Sequence, residues 1–493
     1  MEGTDSTSTH SCDLQDGNTI ISHHTPSTEI CTSMPQARHA TVATGTSPIR
    51  SIPPEILREI FILCVPYPLE ISIRSPLPIR SAPWNLLLVC SRWRQLALVT
   101  SALWNDIYIC LESSYNFPLQ ALKLALSRTG TSLLSLRTGV NNGYLGNQAT
   151  PRRRIGDLIQ PFVGRLKRLS LDPADKFRRL LDIPRGMMDN LQSVSLSFSD
   201  ERHKYVTYQD SDSYHPSLYS VTAFDNARNL REVMICTEFA TFHPQYFRLP
   251  WGQLTQLHLI DTPIPFVEGH EALCQCLNLV AATLTIPSDE RCLHSSPITL
   301  LPHLSSLEIS TATESTTACF GRFLKPFVLP SLKTFVTSSN SGVTVEDIWS
   351  QSDLLSLMKR SSCSLERFET TWITPQLLHA FLQAVPSLVE LSFSWVRLEP
   401  LAMFQMIFQE IKDGSLVPNL RILDCNMNIL DDVLNMVEAR THQMDYRSPC
   451  TIINSVIIQG HPKDLDIIPH SVHELRARGI SIVFVDGGRV VDG

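Results

Sequence analysis

From residue 133 onward, aliphatic residues return in short clusters of the form L-x-x-L-x-L, separated by longer mixed segments. The first seven are Leu133/Leu136, Leu166/Leu169/Leu171, Leu191/Val194/Leu196, Leu230/Val233/Ile235, Leu254/Leu257/Leu259, Leu279/Ala282/Leu284 and Leu304/Leu307/Ile309. They continue at Leu332/Phe335, Leu365/Phe368, Leu388/Leu391/Phe393, Leu420/Leu423/Cys425 and Ile453/Val456/Ile458, with starts 23 to 39 residues apart. Alternate side chains of an extended chain point to opposite faces, so the last two apolar positions of each cluster face inward and the residues between them face solvent. One such strand has nothing to cover its apolar side, whereas a stack of them builds a continuous parallel sheet. Helical spacing in the intervals, at 118–128, 154–166, 347–360, 375–385, 401–412 and 430–440, predicts the helices that cover it.

This pattern resembles a leucine-rich repeat array. The resemblance implies an irregular α/β solenoid over 108–493, with the outward strand row as its binding surface. The Asn or Cys expected three residues after the last apolar strand position is clear only at Asn428, with Thr262 a substitute in its own repeat, and the polar stretch 199–217 reads as an inserted loop. An armadillo-type array is the competing architecture, but its units are longer and all-helical, and the Ser, Thr, Val and Ile content of the strand motifs argues against it. From the outward row, Arg168, Gln256, His258, Glu308, Arg367 and Glu390 are the candidate substrate-binding residues. Trp372 and Trp395 are either rim anchors or sheet-edge packing.

Residues 49–107 follow a different period. Pro53 and Pro54 fit only the first turn of a helix, and Glu55 suits its N-terminal dipole. Ile56, Leu57, Ile60, Phe61 and Cys64 then recur at helical spacing, as do Leu86, Val89, Cys90, Trp93 and Ala97 on a second helix. The insert between them, 65–82, carries Pro66, Pro68, Pro76 and Pro78, which predict a loop with a short extended piece at 70–73. So few helices bury little apolar surface alone, and their outer apolar residues need a partner. The opening Ile52-Pro53-Pro54-Glu55-Ile56-Leu57, the centre Val89-Cys90-Ser91-Arg92-Trp93-Arg94 and the closing Leu103-Trp104 resemble an F-box, in the form common among fungal F-box proteins.

The resemblance implies docking on the Skp-type adaptor of a cullin-based (SCF) ubiquitin ligase, with the solenoid holding a protein substrate. The adaptor contacts it carries over are Ile52, Pro53, Ile56, Leu57, Ile60, Phe61, Val89, Cys90 and Trp93, some of which must instead pack the two helices together. On this basis Leu57→Ala with Trp93→Ala abolishes adaptor binding. The chain would make no covalent bond to ubiquitin; holding substrate near a charged carrier supplies proximity. A non-ligase scaffold that binds the adaptor, or a repeat protein without one, is the first alternative, and an enzyme with a site assembled across the solenoid is the second.

Composition narrows the partners. A net charge of -7 and a pI near 6.1 give no footprint for nucleic acid or an anionic membrane. No apolar run of 18 residues and no signal-peptide layout occurs, so a cytoplasmic or nuclear location is expected. The segment 1–48, rich in Ser, Thr, His and Gly, reads as a disordered tail. The 13 scattered cysteines read as reduced core residues, and no phosphate loop, zinc motif or nucleophile elbow is present, so no cofactor and no catalytic residue is expected. Cys274-Gln275-Cys276 reads as helix core, and His470 with Glu474 as a solvated helix face. The basic run Arg152, Arg153, Arg154, Arg165, Lys167, Arg168, Lys176, Arg178 and Arg179 is either a landing site for an acidic or phosphorylated peptide or a charged outer surface partly neutralised by Asp157, Asp172 and Asp175.

Overall fold

The computed structural model describes residues 48–65, 68–71, 83–111, 118–140, 149–198, 221–237, 242–286, 298–311, 319–339, 351–371, 373–393, 401–442, 450–460, 469–486 and 489–491. All of the expected tail over 1–48 except Pro48, the inserted loop at 199–217, and Trp372 and Trp395 lie outside these residues. Two compact units are present: residues 1–52, in which α1 (Pro48–Ser51) is described, and residues 53–493.

The second unit begins with α2 (Pro54–Cys64), α3 (Leu86–Val89) and α4 (Ser91–Val99). Pro54 opens α2, and Val65, extended ahead of Pro66, closes it, because a residue before proline is disfavoured in the helical region. The single helix expected over 86–97 is two. Cys90 is extended (φ -159°, ψ 171°), and Arg94 bridges the break by donating from Nε to the Leu87 carbonyl at 2.8 Å.

The sheet strands are β1 (Leu69–Ile71), β2 (Asp106–Leu111), β3 (Leu134–Val140), β4 (Leu166–Leu171), β5 (Ser193–Ser197), β6 (Glu232–Cys236), β7 (Gln256–Pro263), β8 (Ala281–Ile286), β9 (Thr299–Leu300) and β10 (Ser306–Thr311). They continue as β11 (Phe327–Val328), β12 (Thr334–Ser339), β13 (Arg367–Thr370), β14 (Glu390–Phe393), β15 (Ile422–Asn426), β16 (Ser455–Gln459), β17 (Ser481–Asp486) and β18 (Arg489–Val491). Sixteen of them form one sheet in chain order, parallel throughout except for the antiparallel closing pair β17/β18; β9 and β11 pair separately. The architecture is mixed α/β around a large, mostly parallel sheet. Each of the twelve clusters read in the sequence supplies one strand.

Four strands of the sixteen-stranded sheet, β1, β2, β17 and β18, lie beyond those clusters. β1 comes from the insert between the first helices and pairs with β2 (Leu69↔Ile107), so the division drawn at 107/108 falls inside a strand of the shared sheet. β17 and β18 close the other end. Leu133, read as an inward residue, is 39% exposed, and Leu134 takes its place, with a register shift between Leu134 and Ser135.

Among the described residues ten helices follow the first strands: α5 (Leu119–Arg128), α6 (Ala149–Ile159), α7 (Arg178–Leu181), α8 (Phe266–Gln275), α9 (Cys319–Leu324), α10 (Gln351–Ser361), α11 (Pro375–Ala384), α12 (Leu401–Asp413), α13 (Leu430–His442) and α14 (His470–Ala477). The helix expected over 154–166 becomes α6 followed by a 3-10 segment at Gln160–Arg165, since Pro161 has no amide hydrogen for the α-helical ladder. Thr374 caps α11 by accepting the Leu377 amide at 3.2 Å, with Pro375 in the first turn. The inward strand residues, among them Leu136, Val194, Leu257, Phe335, Leu391 and Val456, are fully buried and stand in register as one continuous core.

Two hydrogen-bonded ladders join neighbouring repeats. Toward the C-terminal end of the strands this chain places buried threonine, at Thr138, Thr237, Thr262, Thr285, Thr311, Thr337 and Thr370. The Thr262 hydroxyl accepts the Thr237 amide (2.9 Å) and faces the Ile235 carbonyl (3.1 Å), while Thr285 donates to the Leu259 carbonyl (3.0 Å). Asparagines sit just before the strands: Asn190 donates to Gly164, Asn229 to Asp189 and Asn278 to Gly252, each at 2.7–2.8 Å from a backbone oxygen of an earlier repeat. Replacing Thr262 by valine keeps the shape but strands a buried amide, and is expected to cost about 1–3 kcal/mol in urea unfolding; an unchanged midpoint would show that the ladder is not stabilising.

Candidate functional site

The first helices divide the residues expected to meet an adaptor. Leu57 and Phe61 are 1% and 0% exposed, and the Phe61 ring packs on Trp93 at 4.8 Å. Leu57 and Phe61 are therefore core residues, a correction to the expected contact set, and half-buried Trp93 is the third member of that packing. Pro53, Ile56, Ile60, Val89 and Cys90 are exposed. Ile52, half-buried, belongs to the first unit. Leu63 and Leu88, 85% and 60% exposed, extend the apolar surface and went unnoticed in the sequence. Ile56, Ile60 and Leu63 follow the i, i+4, i+7 spacing of one helix face, which is why the same helix can be apolar on two sides.

The same helices are joined firmly to the repeats. Trp84 and Trp104 meet edge to face at 5.0 Å, and the Arg128 guanidinium from α5 lies 4.7 Å from the Trp104 ring centre and 5.6 Å from that of Trp84. Burial there lowers the Arg128 pKa.

On the sheet face opposite the buried residues, the register gathers the expected substrate-binding residues into three places. His258, Thr283 and Glu308 are neighbours on β7, β8 and β10. His258 Nδ1 lies 3.0 Å from the Thr283 hydroxyl, which donates to Glu308 at 3.1 Å. Gln256 stands exposed in the adjoining row of β7. Arg367 and Glu390 pair at 3.0 Å, and Arg367 also donates to Glu369 at 2.9 Å, whose hydrogen bond raises the Arg367 pKa against the opposing effect of burial. Arg168 stands apart on β4, exposed beside Ser193 of β5.

Asp424 adjoins the second group. Ser392 donates to its carboxylate at 3.1 Å and Gln459 at 3.0 Å. Burial nonetheless raises its pKa, against those two hydrogen bonds and with help from the nearby Glu369 charge. At the other end of the face, Tyr108 of β2 lies across Gly139, where any side chain would collide with its hydroxyl. The boundary at 107/108 cuts β2 just before Tyr108, and no apolar cluster marks the strand; the alternation Asp106-Ile107-Tyr108-Ile109 is its sequence signal.

The basic run does not form one open patch. Arg165 donates to the Ser132 carbonyl (2.7 Å) and the Thr129 hydroxyl (2.6 Å), stitching repeats, with its pKa lowered by burial. Arg178 pairs with Asp182 at 3.1 Å and Arg179 with Asp157. The side chains of Arg152, Arg153 and Lys176 lie outside those described. A groove of about 470 Å³ at the strand N-termini is lined by Arg231, Gln253, Thr255, Asn278, Val280, His303 and Ser305, and its Arg231, Gln253, Asn278 and Ser305 side chains donate to backbone carbonyls. Cys276 is buried, which pushes its thiol up to about 12, and Cys274 hydrogen-bonds the Thr299 hydroxyl. Among the described residues no group of three or more His, Cys, Asp and Glu is placed to hold a metal ion, and no helix is long and apolar enough to cross a membrane.

Compared with known proteins, the chain matches no protein-family model, and no curated sequence matches it.

Proposed function

We propose that this chain is the substrate-recognition subunit of a cullin-based SCF ubiquitin ligase, docking on a Skp-type adaptor through its first helices and holding a protein substrate on the open face of the sheet. The observation that carries the reading is the exposed apolar stripe of Ile56, Ile60 and Leu63, with Leu88 and Val89, on helices whose packing is already satisfied by Leu57 and Phe61. Five aliphatic side chains left in water on a short helical segment favour a protein partner. Burying each contributes at most about 1.5–3 kcal/mol before the cost of association, since none starts fully exposed. The large sheet then acts as the second binding end.

The test is a pull-down of the full chain, probed for the adaptor and for cullin, beside the triple variant Ile56→Asp, Ile60→Asp and Val89→Asp. All three positions are exposed, so the variant is expected to fold and to lose both partners. Adaptor without cullin in the unaltered chain would replace the ligase role by that of a scaffold. Capture of neither, or undiminished capture by the triple variant, would overturn the docking assignment.

A further inference from the structure

The open sheet face changes character along its length. On β4 and β5 its positions are Ser170, Ser193 and Ser195, with exposed Arg168. From β12 to β17 one register row reads Val336, Glu369, Ser392, Asp424, Ile457 and Val483. The adjoining row adds Arg367, Glu390 and Ile422. Two features mark this half. Its aliphatic side chains stand half-buried on the side of the sheet that carries no core, where β4 and β5 carry serine. Its carboxylates outnumber its cations: Glu369, Glu390 and Asp424 share Arg367, and Glu308 lies two strands before Glu369.

We infer that the open face of β12–β17 binds an extended polypeptide segment of the partner whose every second residue, the set that turns toward the sheet, includes both lysine or arginine and aliphatic residues. The chemistry is complementary on both counts. Aliphatic side chains of the segment would cover Val336, Ile457 and Val483, and its cations would meet Glu369, Glu390 and Asp424, which Arg367 leaves only partly neutralised. Neighbouring strands are about 4.8 Å apart, so a segment crossing from β12 to β17 spans about 24 Å, the reach of about seven extended residues. The raised Asp424 pKa agrees with carboxylates crowded on a partly dry surface. The inference rests on the ligase reading only in calling the occupant a substrate.

The experiment is fluorescence anisotropy on the isolated full chain, with no adaptor present, so its outcome is independent of the docking test. The probe is a fluorescein-labelled ten-residue peptide in which lysine and valine take turns at every second position with threonine between them, so that one face carries both; the control has glutamate at each lysine. Saturable binding of the lysine probe, weakened by salt and weakened about tenfold in the Glu369→Gln/Glu390→Gln variant, is the expected result. A second variant, Val336→Ser/Ile457→Ser, is expected to weaken the same probe without altering its salt dependence. Equal binding of the glutamate peptide, or unchanged affinity in both variants, would overturn the proposal.

Discussion

Phe61→Ala is expected to release α2 from the helices it packs against. The ring is fully buried and in contact with Trp93, and truncating a buried phenylalanine costs about 3–5 kcal/mol. In a repeat array, where each unit contacts chiefly its neighbours, such a loss is felt locally. Hydrogen exchange therefore reports it best: protection of the amides in α2 should collapse while β13–β16 keep theirs. Ile60→Ala, one residue away but 37% exposed, should leave that protection nearly unchanged. Intact protection in Phe61→Ala would mean that the Phe61–Trp93 contact does not hold α2 in place. The same contrast explains why Leu57→Ala with Trp93→Ala is a poor probe of adaptor docking: Leu57 is core and Trp93 packs on Phe61, so binding would be lost through unfolding whether or not either residue touches the partner.

Gly414→Ala is the second large effect. Gly414 follows α12 with φ +77°, a left-handed conformation that costs about 1–2 kcal/mol for a residue with a Cβ, and that Cβ would coincide with the Cys450 sulfur. Forcing the two apart adds the cost of overpacking, about 1–3 kcal/mol. Gly130 is the built-in comparison, with φ +56° and open space around it, so Gly130→Ala should show the conformational cost alone. Urea unfolding of both variants checks the pair: equal losses would show that Cys450 moves aside freely.

The sheet was legible in the sequence because its signal is redundant. Twelve clusters, nine of them with inward apolar positions two residues apart, identify the strands even where spacing wanders. β1 was less visible, since three residues in a proline-rich insert acquire strand geometry only by pairing with β2. The threonine ladder was hidden for another reason. Thr237, Thr311, Thr337 and Thr370 occupy the inward position after the last aliphatic residue, where threonine passes for ordinary strand composition until its hydroxyl is seen bonded across repeats.

The candidate site was legible in its membership but not in its grouping. Outward positions follow from alternation; which of them adjoin depends on register between strands 23 or more residues apart, as with Arg367 and Glu390 or with His258, Thr283 and Glu308. On the helices the limit was different in kind. Leu57 and Ile56 are adjacent aliphatic residues on an amphipathic helix, and only the position of Trp93 and its neighbours decides which of them turns inward.

Sixteen strands in one sheet, at about 4.8 Å each, make a surface about 70 Å long from β1 to β18. A compact domain of 100 residues has a radius of gyration of only about 13 Å. Such a partner, seated over the carboxylates of β13–β15, would leave the tyrosine, arginine and serine end near β2–β5 uncovered. The length of the sheet thus gives this chain room to accommodate two small visitors at once, each reading a different chemistry, and competition between them would arise only if their footprints overlapped near β7–β10.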